Sequence, residues 1–157
     1  PNGELSFFND TTLGIVPKFT EIQKYYKFLK NKEKKVKKNF PFFSHLKESG
    51  FVIFYSKKFK IIMDFGEIGP KYLTAHSHVD TLSFELSIGK EKIFVNSGIS
   101  TYENNTQRLI EKSTSSHNTV EVNNTNSSDC WSSFRVGRRA SIKYKNFVEI
   151  KSFNFIC

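Results

Sequence analysis

Three ionisable side chains stand two residues apart in His76-Ser77-His78-Val79-Asp80. On an extended strand, residues so spaced project from one face, which predicts that His76, His78 and Asp80 share one side of a sheet. Two imidazoles and a carboxylate suit two kinds of chemistry. An imidazole titrates near neutrality, so it can give or take a proton as general acid or base. As a neutral ring it is also a metal ligand, often with a carboxylate beside it. A third imidazole, His117, stands in Ser115-Ser116-His117-Asn118-Thr119 at the start of another expected strand. A neighbouring strand would bring it beside His78. The same residues are equally read as hydrogen-bonded histidines at a strand end. His45 precedes Leu46 in an expected linker and is read as structural.

The elements that must position these groups are mostly strands. Residues 51–55 and 59–63 are short, aromatic and β-branched, and Ser56-Lys57-Lys58 between them predicts a hairpin. Further strands are expected at 81–88, 92–95, 118–122, 140–144 and 148–155. Leu82, Phe84, Leu86 and Ile88 alternate with polar neighbours, the period of a half-buried antiparallel sheet. Strand after strand with turn signals between them favours an antiparallel β-sandwich. Ahead of the strands, Thr20 and Gln23 have the spacing of a capping box. Ile22, Tyr25, Tyr26 and Leu29 follow at helical spacing, so an amphipathic helix is expected over 21–31. Residues 1–17 read as a packed loop. The lysine run at 32–38, followed by Phe40-Pro41-Phe42-Phe43, reads as a linker, its lysines a solvated surface or a basic anion-binding patch.

The 157 residues carry a net charge of +9, with 38% hydrophobic and 15% aromatic residues, 17 of them Phe. That length suits one domain, and the aromatic share compensates for a modest apolar fraction, so global disorder is excluded. No apolar run approaches the ~20 residues of a membrane span. Two cysteines, Cys130 and Cys157, form neither a disulfide framework nor a CxxC zinc pattern. The charge favours polyanions, but no nucleic-acid-binding motif accompanies it, so nucleic acid is not the expected partner. The opening Pro1-Asn2-Gly3-Glu4 lacks Met and reads as a fragment or a processed chain.

Longer motifs add to this picture. The stretch Tyr72-Leu73-Thr74-Ala75-His76-Ser77-His78-Val79-Asp80-Thr81-Leu82-Ser83-Phe84-Glu85 closely resembles the signature of the heparinase II/III-like family. The likeness continues through Phe94-Val95-Asn96-Ser97-Gly98, Thr101-Tyr102-Glu103, Arg108 and Ser113 to Val120. It ends with Trp131-Ser132-Ser133-Phe134-Arg135-Val136-Gly137-Arg138-Arg139-Ala140, in order and in spacing across 61–140. Upstream, Phe8-Asn9-Asp10 looks like the end of the family's helical region.

The resemblance implies an (α/α) toroid followed by an antiparallel β-sandwich. Residues 1–45 would then be the end of the toroid and a linker, and 46–157 an incomplete sandwich. It implies a polysaccharide lyase that cleaves uronic-acid glycans, such as glycosaminoglycan or alginate, by β-elimination, with the isolated chain inactive and the rest of the toroid as its partner. A bacterial periplasm or cell envelope would be the location. Elimination needs a base for the proton alpha to the carboxylate, an acid for the leaving oxygen, and stabilisation of the enediolate. By resemblance His76 is the catalytic acid or base. His78, Asn96 and His117 match the ligands of a structural zinc. Asn96 departs from the family's Asp, and a neutral amide oxygen would weaken zinc binding, with water or Asp80 able to compensate. Asn104-Asn105 replaces a frequent Pro-Gly, and Lys112 a frequent Arg.

Arg108, Arg135 and Tyr102 are candidate substrate binders, since guanidinium grips carboxylate or sulfate bidentately and a phenol can donate a proton. Arg138 and Arg139 could serve likewise, and Trp131 could stack on a sugar. Each also has a plain structural reading, in ion pairs or packing. Two rival functions remain. HxH with a downstream acid and a later histidine also suits a cupin-like metal enzyme, though Glu85 lies further from His78 than that pattern requires. The other rival is a non-catalytic module that binds anionic glycans.

Overall fold

Short apolar, β-branched runs at 51–55 and 59–63 and the alternating stretch up to Ile88 produce an antiparallel meander. In a computed structural model of the chain, residues 4–30 and 41–143 are described. Five strands, β1 (Phe42–Leu46), β2 (Phe51–Tyr55), β3 (Phe59–Asp64), β4 (Phe84–Ile88) and β5 (Glu91–Phe94), lie side by side in sequence order. Ile53 faces Ile62 and Phe54 faces Ile61 across the β2–β3 hairpin, and Met63 faces Phe84 across β3–β4. These apolar cross-strand pairs fix the register, because a one-residue slip would turn each to the opposite face. A bulge between Leu86 and Ser87 breaks the β4–β5 ladder. The fold is thus mainly antiparallel β with a short helix before it, as expected.

That helix, α1 (Phe19–Lys30), begins two residues ahead of its expected start. The Glu21 carboxylate accepts the Lys18 N–H at 2.8 Å, the reciprocal half of a capping box set earlier than Thr20. No residue of α1 is buried. β1 occupies part of the expected linker and crosses the expected boundary between 45 and 46. Pro41 suggested a linker; it precedes an edge strand, where a missing N–H is tolerated, and the lysine run at 32–38 lies outside the described residues. His45 lies on this strand, opposite Val52.

Between Asp64 and Phe84 the chain leaves the sheet, and this excursion carries His76, His78 and Asp80. They are therefore not on a strand, and the expected shared strand face is corrected. A second helix, α2 (Thr106–Lys112), follows β5 and was not expected. Asn105 caps it, its side-chain oxygen accepting the Arg108 N–H at 2.9 Å, a signal hidden by the abundance of asparagine. A single 3-10 turn, Thr114–Ser116, leads to His117. The strand expected at 118–122 reduces to one bridge, Val122 to Thr125, across a turn where Asn123 and Asn124 both have φ of 52°. Two short strands, β6 (Asp129–Ser132) and β7 (Arg135–Gly137), pair separately. Residues 140–143 form no strand, and the remaining expected strand positions up to 155 lie outside the described residues.

The segment before α1 packs onto the sheet. Phe8 is buried with its ring edge-on to Phe51, centroids 5.0 Å apart. The Phe7 N–H donates to the buried Glu85 carboxylate at 2.7 Å. Gly98, with φ of +64°, lets this segment close on the sheet, since a Cβ there would fall on the Thr11 carbonyl oxygen. Among the described residues few apolar side chains are buried: Phe8, Val52, Ile68, Val79 and Ile99. A larger set of polar groups is buried with them, His78, Asp80, Glu85, Asn96, Thr114 and His117 together with Arg108, Glu111 and Lys112 of α2. Such a centre is stable only when its members satisfy one another.

Candidate functional site

The polar centre is organised around Asp10. Its Oδ2 lies 2.8 Å from His76 Nδ1 and its Oδ1 2.8 Å from His78 Nε2. The Arg108 guanidinium closes the other side as a fork, Nη1 at 2.6 Å from Oδ1 and Nη2 at 2.9 Å from Oδ2. Burial alone would raise the Asp10 carboxyl. The hydrogen bonds from His78, Arg108 and His76 outweigh it and hold the group down at about 2. Asp10 is therefore a fixed anion that orders two imidazoles. The adjacent Asn9 adds an anchor, its side-chain oxygen accepting the His78 backbone N–H at 3.2 Å.

The two histidines of the motif have different surroundings. His78 is fully buried, whereas the His76 side chain is 64% exposed. With Nδ1 directed to Asp10, the His76 ring presents Nε2 outward. Two aromatic rings steady it, Tyr102 and Phe134, each edge-on at 5.8 Å between centroids. Those two rings stack on each other at 5.7 Å, and the Arg108 guanidinium sits 5.4 Å from the Tyr102 ring. An exposed imidazole, tied at one nitrogen to a buried carboxylate and flanked by a half-exposed phenol, has the form of an oriented acid or base.

His117 does come beside His78, as expected, though from a 3-10 turn. His78 Nδ1 and His117 Nε2 are 3.2 Å apart. Burial, reinforced by His78 and opposed by Asp80, lowers the His117 imidazole below its ordinary value. Asn96, buried at 2% exposure, places Oδ1 3.3 Å from His117 Nδ1. The expected zinc set thus assembles as a row, not as a ring of donors. Asn96 meets the nitrogen of His117 that faces away from His78. Asp80 bonds Ser83 Oγ at 3.2 Å. Among the described residues no three His, Cys, Asp or Glu side chains are grouped to hold a metal. Glu85, the acid of the cupin-like alternative, accepts the backbone N–H groups of Phe7 and Asn96 instead.

Neighbouring elements lock this row in place. The Val79 N–H donates to the Lys112 carbonyl at 3.0 Å, and Thr114 Oγ1 donates to the Val79 carbonyl at 2.6 Å. Lys112, fully buried, donates Nζ to the Ser133 carbonyl at 2.9 Å and reaches the Ala75 carbonyl at 3.5 Å. Its ammonium is pushed below the ordinary lysine value by burial.

The candidate arginines differ in their surroundings. Arg108 is completely buried and engaged with Asp10 and the Ser133 carbonyl, which keeps its guanidinium inside the protein. Arg138 forks onto Asp129 at 2.6 and 2.9 Å, and Arg139 donates to the Pro70 and Lys71 carbonyls. Arg135 is exposed on β7. Trp131 is exposed and lies against Gly137. The functional residue that sequence reasoning passed over is Asp10. Its only signal was its place in Phe8-Asn9-Asp10, far along the chain from its partners.

A family model described as "Heparinase II/III-like, C-terminal" matches residues 41–154, most of the chain. The chain belongs to the heparinase II/III-like family. Two solved structures share its fold. The Heparinase III-BT4657 gene product is 22% identical, with a TM-score of 0.56. The same product with methylated lysines is 24% identical, with a TM-score of 0.55. Each likeness covers 77% of this chain and 21% of the other, so the chain spans about a fifth of the length of those heparinases. No curated protein matches it. The family domain begins at residue 41, one residue before β1, so the whole five-stranded sheet falls within it, whereas Asp10 and α1 precede it.

Proposed function

We propose that this chain is part of a polysaccharide lyase that cleaves uronic-acid-containing glycans by β-elimination, with His76 as a catalytic acid or base. The observation that carries the reading is the His76 environment: Nδ1 held by a buried carboxylate, Nε2 outward, Tyr102 and Phe134 alongside. Family membership and the likeness to heparinase III support the reaction class.

In this mechanism the Asp10 carboxylate accepts the His76 Nδ1 proton and leaves Nε2 as the reacting nitrogen. When His76 takes a proton at Nε2, the Asp10 anion stabilises the resulting imidazolium. Tyr102, whose ring meets His76 edge-on, would donate to or accept from the other end of the sugar linkage. Arg135, exposed on the ribbon that also leads from Phe134, is a candidate contact for substrate carboxylate or sulfate. The group that neutralises the uronate carboxyl lies outside the residues named here, in the remainder of the toroid. A periplasmic or cell-envelope site is part of the same proposal. No helix among the described residues is long and apolar enough to cross a membrane.

The test is a turnover assay of the full-length protein on a panel of uronate polymers, read by the ultraviolet absorbance of the unsaturated ends. His76→Ala should reduce turnover on the order of 10²–10⁴-fold, the usual contribution of a positioned acid or base. Turnover that survives this substitution, or retention of anionic glycans with no elimination on any of them, would transfer the reading to a binding module.

A further inference from the structure

We infer that the cleft beside Trp131 is a second sugar-binding site, in which the indole stacks on an uncharged pyranose unit and the surrounding side chains bond its hydroxyls. The inference rests on the lyase reading only for the identity of the polymer.

The ribbon of β6 and β7 builds the platform. Its ladder shifts between Cys130 and Ser132, so Trp131 sits at a bulge, a feature that re-aims a side chain. The ring is turned over Gly137: a Cβ there would lie 2.9 Å from Cζ3 and 3.1 Å from Cη2. The absence of a side chain at 137 is therefore what lets the indole lie against the ribbon. Trp131 remains 59% exposed. An indole backed by the chain on one side and open to solvent on the other is a stacking surface, with apolar faces and one N–H donor at its edge.

Trp131 lines a cleft of about 480 Å³ together with Asn124, Thr125, Asn126 and Asp129. These groups offer both donors and acceptors, as sugar hydroxyls require. The Asn126 oxygen accepts the Thr114 N–H at 2.9 Å, which leaves its N–H₂ to donate. Thr125 gives its hydroxyl proton to the Asn123 carbonyl at 3.1 Å, which leaves the oxygen to accept. Asp129 is fixed by the Arg138 fork at 2.6 and 2.9 Å. An apolar face with a few fixed polar groups is the usual make-up of a small-molecule site. Among the described residues no cation lines the cleft, and Arg138 is engaged with Asp129 outside it. A carboxylate or sulfate there would meet the Asp129 carboxylate, and like charges so placed repel. The unit on Trp131 is therefore uncharged. Three residues further along the ribbon Phe134 meets His76, roughly 10 Å of fully extended chain at most. One glycan can reach both, and it would carry uncharged units beside its uronates.

The experiment uses the full-length protein labelled with fluorotryptophan. The Trp131 line of the fluorine NMR spectrum is identified by its absence from Trp131→Phe. The probes are uncharged tetrasaccharides of glucose, galactose, mannose and N-acetylglucosamine, with tetragalacturonate as the acidic comparison. At least one uncharged probe should shift the Trp131 line saturably. Tetragalacturonate should shift it only at about tenfold higher concentration, or not at all. By calorimetry, Trp131→Ala should weaken the affinity for that probe about tenfold or more, as loss of an aromatic anchor does. Gly137→Ala removes no polar group but displaces the ring, and should weaken it too. A Trp131 line unmoved by every uncharged probe overturns the inference, and so does an affinity that survives Trp131→Ala. Tetragalacturonate held at Trp131 as tightly as the uncharged probes overturns the choice of an uncharged unit. The lyase reading fails separately. Saturable binding at Trp131 with no elimination on any uronate polymer removes the reaction and keeps this site, and elimination with an unmoved Trp131 line does the reverse.

Discussion

Asp10 holds three side chains, His76, His78 and Arg108, with two oxygens, and its removal tests the site in two ways. Asp10→Asn keeps the shape but leaves the fully buried Arg108 without its anion. Breaking one side of a buried pair costs about 3–5 kcal/mol, so a loss of about 3 kcal/mol is expected in urea unfolding. The same substitution releases His76 from its fixed orientation, and a misplaced reacting group costs up to about 10²-fold in turnover. Acid should act through the same carboxylate. Its folded-state value is depressed from 3.8 to about 2, so its contribution is fully present above the unfolded value and is lost as pH falls from about 4 through about 2. That contribution is about 2 kcal/mol. Melting temperatures measured across the acid range should show this slope, and it should flatten in Asp10→Asn. An unchanged slope would place the acid sensitivity elsewhere.

At the scale of elements, the first segment reaches the histidines because a glycine admits it. Gly98 adopts φ of +64° directly against the Thr11 carbonyl, on which the Ile99 N–H also converges at 3.3 Å. Gly98→Ala adds both left-handed strain and a collision with backbone. The strain alone is about 1–3 kcal/mol. Since the collision pushes out the segment carrying Asp10, the variant should lose stability and also turnover, read by thermal melting and the elimination assay. A substitution at Gly89, where φ is +58° but the space is open, should cost only the strain and leave turnover unchanged. β2, β3 and β4 were legible because short aromatic and β-branched runs at 51–55 and 59–63, and alternation from Leu82 to Ile88, are local properties of a strand. α2 was not, since its seven residues have no apolar stripe: Arg108, Glu111 and Lys112 are the residues it buries.

For the whole molecule, α1 stands out. Phe19, Ile22, Tyr25, Phe28 and Leu29 are all at least 50% exposed on it, a patch of the kind that drives association. Together with a chain that spans about a fifth of the heparinases it resembles, this predicts that the 157 residues expressed alone self-associate. Size-exclusion chromatography would show oligomers or aggregate. A monomer with a single cooperative melt would contradict the prediction. The charge of +9 adds an electrostatic term suited to anionic glycans, so retention on them should weaken as salt rises.

The sequence by itself determined β2 to β5 of the meander, the helix before them and the family to which the chain belongs, because composition, period, turn residues and motif spacing are carried by neighbours along the chain; β1 it read as linker. It also singled out His76, His78 and His117. Tertiary structure alone decided that His76 is exposed while His78, two residues away, is buried, since an irregular excursion and not a strand presents them. It alone placed Asp10 between them, withdrew Arg108 from the surface and set Asn96 on the far side of His117. These outcomes depend on which distant segments share a desolvated interior, where every donor must meet an acceptor, and local spacing does not contain that information.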